Sequence, residues 1–313
     1  MRIPFHKPNM PLDLNSIVSD SLRNGWLTTG SQVNIFEKGL KKYLNAKYVV
    51  AVNSCTAALH LALEAKSFGN GHKFIVPALT FVSTVECGEY TDMEPILVDS
   101  EDGGFLLDLN QVEDIVKKDN SVKAIIPVHY GGEAVDLNFL WDLADKYGLF
   151  ILEDAAHALE TVTNDNIKVG CTDHAAAFSF YANKNISTFG EGGAIATNNA
   201  ALAERIKKLS LHGITKDGWN RFKTNGNWEY DITELGYKYN LTDIAAVFGL
   251  WQMDFIEQWQ ERRIEIVERY QKGLKDINGI ILPKSISYYF CRDMDGRNIF
   301  FRTNVNLFQR GRR

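Results

Sequence analysis

Three residues in one stretch of this chain could together hold and activate a small organic cofactor. Asp154 closes the apolar run FILED; Ser179 lies 25 residues beyond it and Lys184 30 beyond it, just ahead of a GEGG turn. In open α/β sheets, ligands bind beyond the carboxyl ends of the strands. A carboxylate at such an end could keep the nitrogen of a pyridine-type ring protonated, because the two opposite charges stabilise each other where water is scarce. The same residue could equally be a structural acid bonded to backbone N–H groups. Glu153, its neighbour, would point to the opposite face. His157, three residues on, could bond the same ligand or simply pack. Lys184 could serve as a Schiff-base nucleophile if well placed, and the glycines after it would let backbone come close to a ligand.

A second stretch, NSCTAALH, follows an apolar run and opens a helix. The free N–H groups of a first helical turn, with the helix dipole, suit an anion such as a phosphate; a plain N-cap needs no ligand. Phe81, in LTFVST, could stack on an aromatic ring or belong to the core. Trp26, in NGWLTTG, could pack or line a substrate cleft. GEGG lacks the spacing and position of a dinucleotide fingerprint. No P-loop occurs, and no His or Cys cluster has metal-ligand spacing.

The elements that must position these residues alternate. Continuous apolar runs at 48–52, 74–77, 94–99, 122–129 and 149–154 read as strands, each followed by a helical pattern, the one after 74–77 being LTFVSTVEC from Leu79. Runs of this kind are buried on both faces, which predicts an α/β fold with a mostly parallel sheet covered by helices. Asp108 is the expected cap of one helix, Gly148 the expected end of another and Ser31 the expected cap of SQVNIFEKGLKKYL. HAAAFSF and GGAIATN read as strands flanking the lysine turn. Residues 213–236 form a long polar and aromatic stretch of the kind that is functional or interfacial. Residues 241–274 read as one long amphipathic helix or two in succession.

Composition narrows the class. The chain has 313 residues, 45% hydrophobic and 23% charged, with net charge −5; this is ordinary for a soluble globular protein of about two domains. The absence of a basic run before the terminal RGRR argues against nucleic acid and membrane surfaces. No apolar run is long enough to span a membrane, and MRIPFHKPNM lacks a signal-peptide core. The four scattered cysteines suit reduced thiols in a cytoplasmic protein.

Taken together, SCTAALHLAL, PALTFVST, PVHYGG, EDAAHA, FSFYANKNISTFGEGG, LHG and GYKYNLTDIAA resemble the DegT/DnrJ/EryC1/StrS family, over about residues 1–270. These are nucleotide-sugar aminotransferases that use pyridoxal 5′-phosphate (PLP). PVHY, EDAAHA and GYKYNLTDI are similar to the members acting on 4-amino-4-deoxy-arabinose. The resemblance implies the aspartate-aminotransferase fold (PLP fold type I). It implies that Lys184 carries the cofactor, Asp154 bonds the ring nitrogen, His157 contacts the phenolic oxygen and Phe81 stacks on the ring. Cys55, Thr56 and Ser179 would hold the phosphate. Lys238 and Asn240 would complete the phosphate site of a second subunit, which makes a homodimer with a shared active site. The substrates implied are glutamate and a nucleotide-linked keto sugar, with ping-pong exchange between them.

Two departures stand out. SCT replaces the family's usual SGT or SAT, so Cys55 suits the phosphate only if its backbone does not require glycine. The family also continues as a small α/β domain beside the cleft. Here SYYFCRDMDGRNIFF resembles that domain's first hairpin before RTNVNLFQRGRR. The expected organisation is a large PLP-binding domain over 1–245, then a linking helix and an incomplete small C-terminal domain over 246–313, a truncation expected to impair activity. The competing readings are a non-catalytic PLP-binding or regulatory remnant and a PLP-dependent sugar dehydratase. Lys184 counts against the dehydratase, because that subgroup carries histidine there.

Overall fold

The computed structural model describes residues 9–11, 14–23, 25–215, 230–278, 280–282 and 302–303. The hairpin expected from SYYFCRDMDGRNIFF lies outside them. Seven strands form one sheet: β1 (Tyr48–Val52), β2 (Lys73–Pro77), β3 (Glu94–Val98), β4 (Val122–Ile125), β5 (Phe150–Asp154), β6 (Ala175–Ser179) and β7 (Gly193–Thr197). Their order across the sheet is β1-β7-β6-β5-β4-β2-β3. Neighbours from β3 to β6 run parallel, whereas β7 runs against both β6 and β1. The mostly parallel sheet expected from the apolar runs is therefore present, with a single reversed strand. Ile280–Ile281 and Arg302–Thr303 form a separate antiparallel pair, β8 and β9.

Both faces of the sheet are covered. Val50, Val52, Leu152, Ala177 and Ile195 pack on one side with α3 (Cys55–Glu64) and α7 (Ala200–Leu209). Val49, Ala51, Ala176 and Ala194 face the other way, toward α2 (Ser31–Leu44) and α8 (Asp243–Met253). The period-two alternation of strand side chains makes this division. Farther along the second face, Ile75, Ile125 and Ile151 pack with α5 (Leu109–Val116) and α6 (Leu137–Tyr147). Helix α2 shows the matching helical period: Val33, Phe36, Leu40 and Leu44 are its buried residues. Each contributes about 1.5–3 kcal/mol on leaving water.

Several local expectations hold. Asp108 caps α5 by accepting from the N–H groups of Asn110 and Gln111. Gly148 ends α6 at φ 67, a conformation for which glycine carries no Cβ penalty. The stretch 241–274 is two helices, α8 and then α9 (Ile256–Leu274), separated at Asp254 and Phe255.

Others change. Ser31 is the first residue of α2 rather than its cap; Gly30 holds the cap position and offers no side chain. The orphan donors are met by Asp243 on α8, which accepts from the N–H groups of Gly30 (2.7 Å), Gln32 (3.2 Å) and Val33 (3.0 Å). Strand β4 stops at Ile125, since Pro127 cannot donate to a ladder; an isolated bridge between Val128 and Asp154 resumes the pairing three residues further on. The helix expected from Leu79 starts only at Ser83, as α4 (Ser83–Glu89), leaving Phe81 on a loop with 74% of its surface exposed.

Candidate active site

The carboxyl ends of β5 and β6 and the amino end of α3 meet at one edge of the sheet. Asp154 ends β5 and is 5% exposed. Its Oδ1 accepts from the Ala156 N–H at 3.1 Å, and its Oδ2 accepts from the Thr84 hydroxyl at 2.7 Å. Because Thr84 spends its proton on Asp154, the Thr80 hydroxyl 2.7 Å away must donate to Thr84. Glu153 points to the other face, as strand alternation requires. It is fully buried and accepts from His129 Nε2 at 3.2 Å, while His129 Nδ1 accepts from the Val135 N–H. His157 is fixed by the Gly131 N–H, which donates to its Nδ1 at 3.3 Å, and Tyr130 meets its ring edge-on.

Helix α3 starts at Cys55. Ser54 caps it, its side chain accepting from the Ala57 N–H, and its carbonyl accepts from Ala58. The remaining first-turn donors are Cys55 and Thr56. Cys55 is absent from the positive-φ residues, so its backbone does not require glycine. Burial pushes the Cys55 thiol well above its ordinary pKa. The Asp154 carboxylate adds to that rise and the Lys184 ammonium opposes it. Cys55 packs against the core cluster that holds Leu152 of β5 and Ala177 of β6, beside the carboxyl ends of those strands.

The connection from β6 to β7, residues 180–192, is a loop whose two arms continue the antiparallel pairing before it turns. The Phe180 N–H donates to Gly192, the Ala182 N–H to Gly190, and the Lys184 N–H to Tyr181. Ser179 stands at its entrance and accepts from the Tyr181 N–H at 3.4 Å. At the exit, Gly193 presses against the start of α3. A Cβ there would lie 2.5 Å from the carbonyl carbon of Ser54 and 2.7 Å from the Cys55 nitrogen, distances that real Cβ contacts do not reach. Gly193→Ala should therefore displace the first turn of α3 and weaken anion binding by about tenfold or more, a loss of ~1–3 kcal/mol typical of a disturbed charge-assisted contact. Titration with inorganic phosphate, followed by calorimetry, would measure it.

Comparison with known proteins agrees with this architecture. The model of the DegT/DnrJ/EryC1/StrS aminotransferase family matches residues 11–287. The chain belongs to that family. It is 41% identical over 296 residues to the spore coat polysaccharide biosynthesis protein SpsC of Bacillus subtilis, covering 95% of this chain and 73% of that one. It is 35% identical over 287 residues to the UDP-4-amino-4-deoxy-L-arabinose–oxoglutarate aminotransferase of Shewanella sediminis, covering 92% and 72%. Among solved structures, Spr1654 from Streptococcus pneumoniae in its PLP form superposes with TM-score 0.81 at 31% identity, covering 91% of this chain and 75% of that one. The fold is that of the PLP-dependent aminotransferases.

Within this family member, Cys55, Thr56, Asp154, Ser179 and Lys184 gather at one edge of the sheet. Phe81 lies on the loop leading to Thr84, the residue that holds Asp154. Lys238 and Asn240 form a second cluster. The Lys238 ammonium donates to Asn240 Oδ1, and Asn240 Nδ2 donates to Thr29 Oγ1 at 2.7 Å. Their neighbours Tyr237 and Tyr239 turn inward onto His60 of α3. Trp26 closes its own loop, donating through Nε1 to the Thr29 carbonyl at 3.0 Å. The residues missed from the sequence are Thr80 and Thr84. Their i, i+4 spacing within LTFVST was readable; the carboxylate they serve, 70 residues away, was not. Among the described residues no cluster of His, Cys, Asp or Glu could hold a metal, and no helix is long and apolar enough to cross a membrane.

Proposed function

We propose that this aminotransferase moves an amino group from glutamate to a keto sugar carried on a nucleotide, with Lys184 and Asp154 as its catalytic pair. The observation that carries the reading is the convergence of the Asp154 end of β5, the Ser179 end of β6 and the first turn of α3, which Gly193, paired with Ser179, meets at Ser54 and Cys55. The residues present fit PLP: a helix start with two donors to spare, a buried and doubly anchored carboxylate, and a lysine on a glycine-bounded turn. Bound PLP supplies a carbonyl carbon for amine exchange and an aromatic ring that accepts electron density.

The chain's own residues do the rest. The N–H groups of Cys55 and Thr56 and the hydroxyl of Ser179 bind the phosphate, helped by the helix dipole. Asp154, held as an acceptor by Thr84 and Ala156, retains a proton on the ring nitrogen. His157 orients the phenolic oxygen, and Phe81 covers one ring face and excludes water. Lys184 Nζ holds the cofactor at rest and afterwards carries the proton between carbon atoms. Lys238 and Asn240 reach the phosphate site of a second copy of the chain, so the working unit is a homodimer.

The family and the relatives' named activities support amino transfer to sugars; the carbon aminated and the nucleotide are open to assay. Purified protein titrated with PLP should gain a visible absorbance that borohydride fixes to Lys184 and that glutamate bleaches. Cofactor binding that glutamate leaves unbleached would overturn the reading.

A further inference from the structure

The turn that carries Lys184 is gripped from outside the site. Gln252 of α8 is 3% exposed. Its Oε1 accepts from the Ser187 N–H at 3.1 Å, and its Nε2 donates to the Ser187 carbonyl. One amide side chain thus satisfies both backbone groups of a residue three positions past the lysine, as a neighbouring strand would. Arg263 of α9 is 6% exposed and sends its guanidinium two ways: Nη2 donates to the Asn185 carbonyl at 3.2 Å, and Nη1 to Glu160 Oε1 at 3.2 Å. The Asn185 side chain donates to the other oxygen of Glu160. Glu160 is itself 5% exposed and lies six residues past Asp154 on the segment that leaves β5.

Two further contacts press α8 against the same turn. Phe189 sits at φ 59, a conformation costly for a bulky side chain, and stacks on Phe248 with ring centroids 4.3 Å apart. Gly249 admits the Thr188 methyl; a Cβ there would lie 2.9 Å from it.

We propose that Glu160, Gln252 and Arg263 form a buried clamp that sets the position of Lys184 relative to Asp154. The proposal rests on the reading of Lys184 given above. None of the three needs to touch cofactor or substrate; they are positioning residues. A buried Arg–Glu pair is a poor source of stability, since desolvating both charges offsets most of their attraction. Its retention at this point is explained by geometry: it ties the segment after Asp154 to the backbone next to Lys184 and anchors both on α9. Near-attack placement is sensitive to displacements of about 1 Å, so a loosened turn slows chemistry without altering a single reacting group.

The test uses the full-length protein. The double variant Glu160→Gln/Arg263→Met removes both charges of the pair without changing net charge, and Glu257 remains as a counter-charge for Lys168. Gln252→Met removes the other grip, and Arg263→Lys retains a cation with fewer donors. Hydrogen exchange of residues 183–189 is measured without cofactor, against residues 57–63 of α3 as reference. With PLP bound, the pH midpoint of the visible absorbance is recorded and borohydride labelling is mapped.

In the double variant and in Gln252→Met, exchange of the turn should rise about tenfold or more while the reference is unchanged. The pH midpoint should shift by about half a unit or more; in Gln252→Met, which removes no charge, the shift reports geometry alone. The value of kcat should fall about tenfold with KM for glutamate little altered, and Arg263→Lys should lie between wild type and the double variant. Should the double variant not fold, Gln252→Met and Arg263→Lys decide the same question. Wild-type exchange and an unshifted midpoint in both, with Lys184 labelled, would overturn the clamp. A wild-type label on another lysine removes the reading of Lys184 instead, and the clamp's function with it.

Discussion

Lys184→Ala should lower amino transfer by about 10³-fold or more, since in the proposed mechanism it deletes both the covalent anchor and the group that moves the proton. PLP should still bind, through the first turn of α3 and the Asp154 contact, but borohydride should no longer attach it to the protein. A small primary amine added to the medium should restore part of the lost rate, because it replaces the missing base without its positioning. Lys168→Met tests the competing lysine and is read by its borohydride label, because Lys168 also touches Glu160 of the clamp. Lys168 is largely buried, donates to the Glu160 carbonyl at 2.9 Å and lies over the Tyr43 ring at 4.2 Å. Burial lowers its pKa, despite the opposing influence of Glu160; a lysine with a lowered pKa is the competitor most worth excluding. Stopped-flow absorbance of the glutamate half-reaction separates the two. A Lys184→Ala protein that keeps its rate and its borohydride label would remove this residue from the mechanism.

Asp154→Asn should cost about 10²-fold or more in kcat/KM, on the scale of removing one preorganised electrostatic partner from a dry site. The substitution retains size and one acceptor but turns the other oxygen into an NH2 donor facing the Thr84 hydroxyl or the Ala156 N–H, so the loss reports the charge together with one of these two hydrogen bonds. Thr84→Val should reproduce a smaller part, about tenfold, the equivalent of ~1–2 kcal/mol for one hydrogen bond to a charged group. Thr84 is fully buried, and without its hydroxyl Asp154 Oδ2 loses its donor. Thermal unfolding should accompany both assays, because Asp154 also accepts from the Ala156 backbone. Equal kcat/KM for wild type and Asp154→Asn would assign the carboxylate a structural role only.

Much of this site was readable before the fold was known. The alternation of FILED put Glu153 and Asp154 on opposite faces, and the structure has one on His129 and the other beside Thr84. NSCTAALH announced a capped helix start, and Ser54 caps it. Family resemblance added what spacing alone could not, the proposal of a shared purpose for Asp154 and Lys184. The loop at 79–82 was misread as helix. Its residues are apolar enough to continue the pattern, but Phe81 stays out of the core, on a loop beside the residue that holds Asp154.

What the sequence determined by itself was local: where strands and helices alternate, which face each strand residue takes, and where Asp108 and Gly148 punctuate the chain. These follow from side-chain period and turn chemistry, which act over a few residues. What only the tertiary structure decided was distant: the reversed strand β7, the closure of Gly193 onto Ser54, the capping of α2 by Asp243, and the grip of Gln252 and Arg263 on the lysine turn. Each of these joins residues separated by tens to hundreds of positions. Their partners are chosen by packing and by the need to satisfy buried polar groups, and neither leaves a periodic trace in the chain.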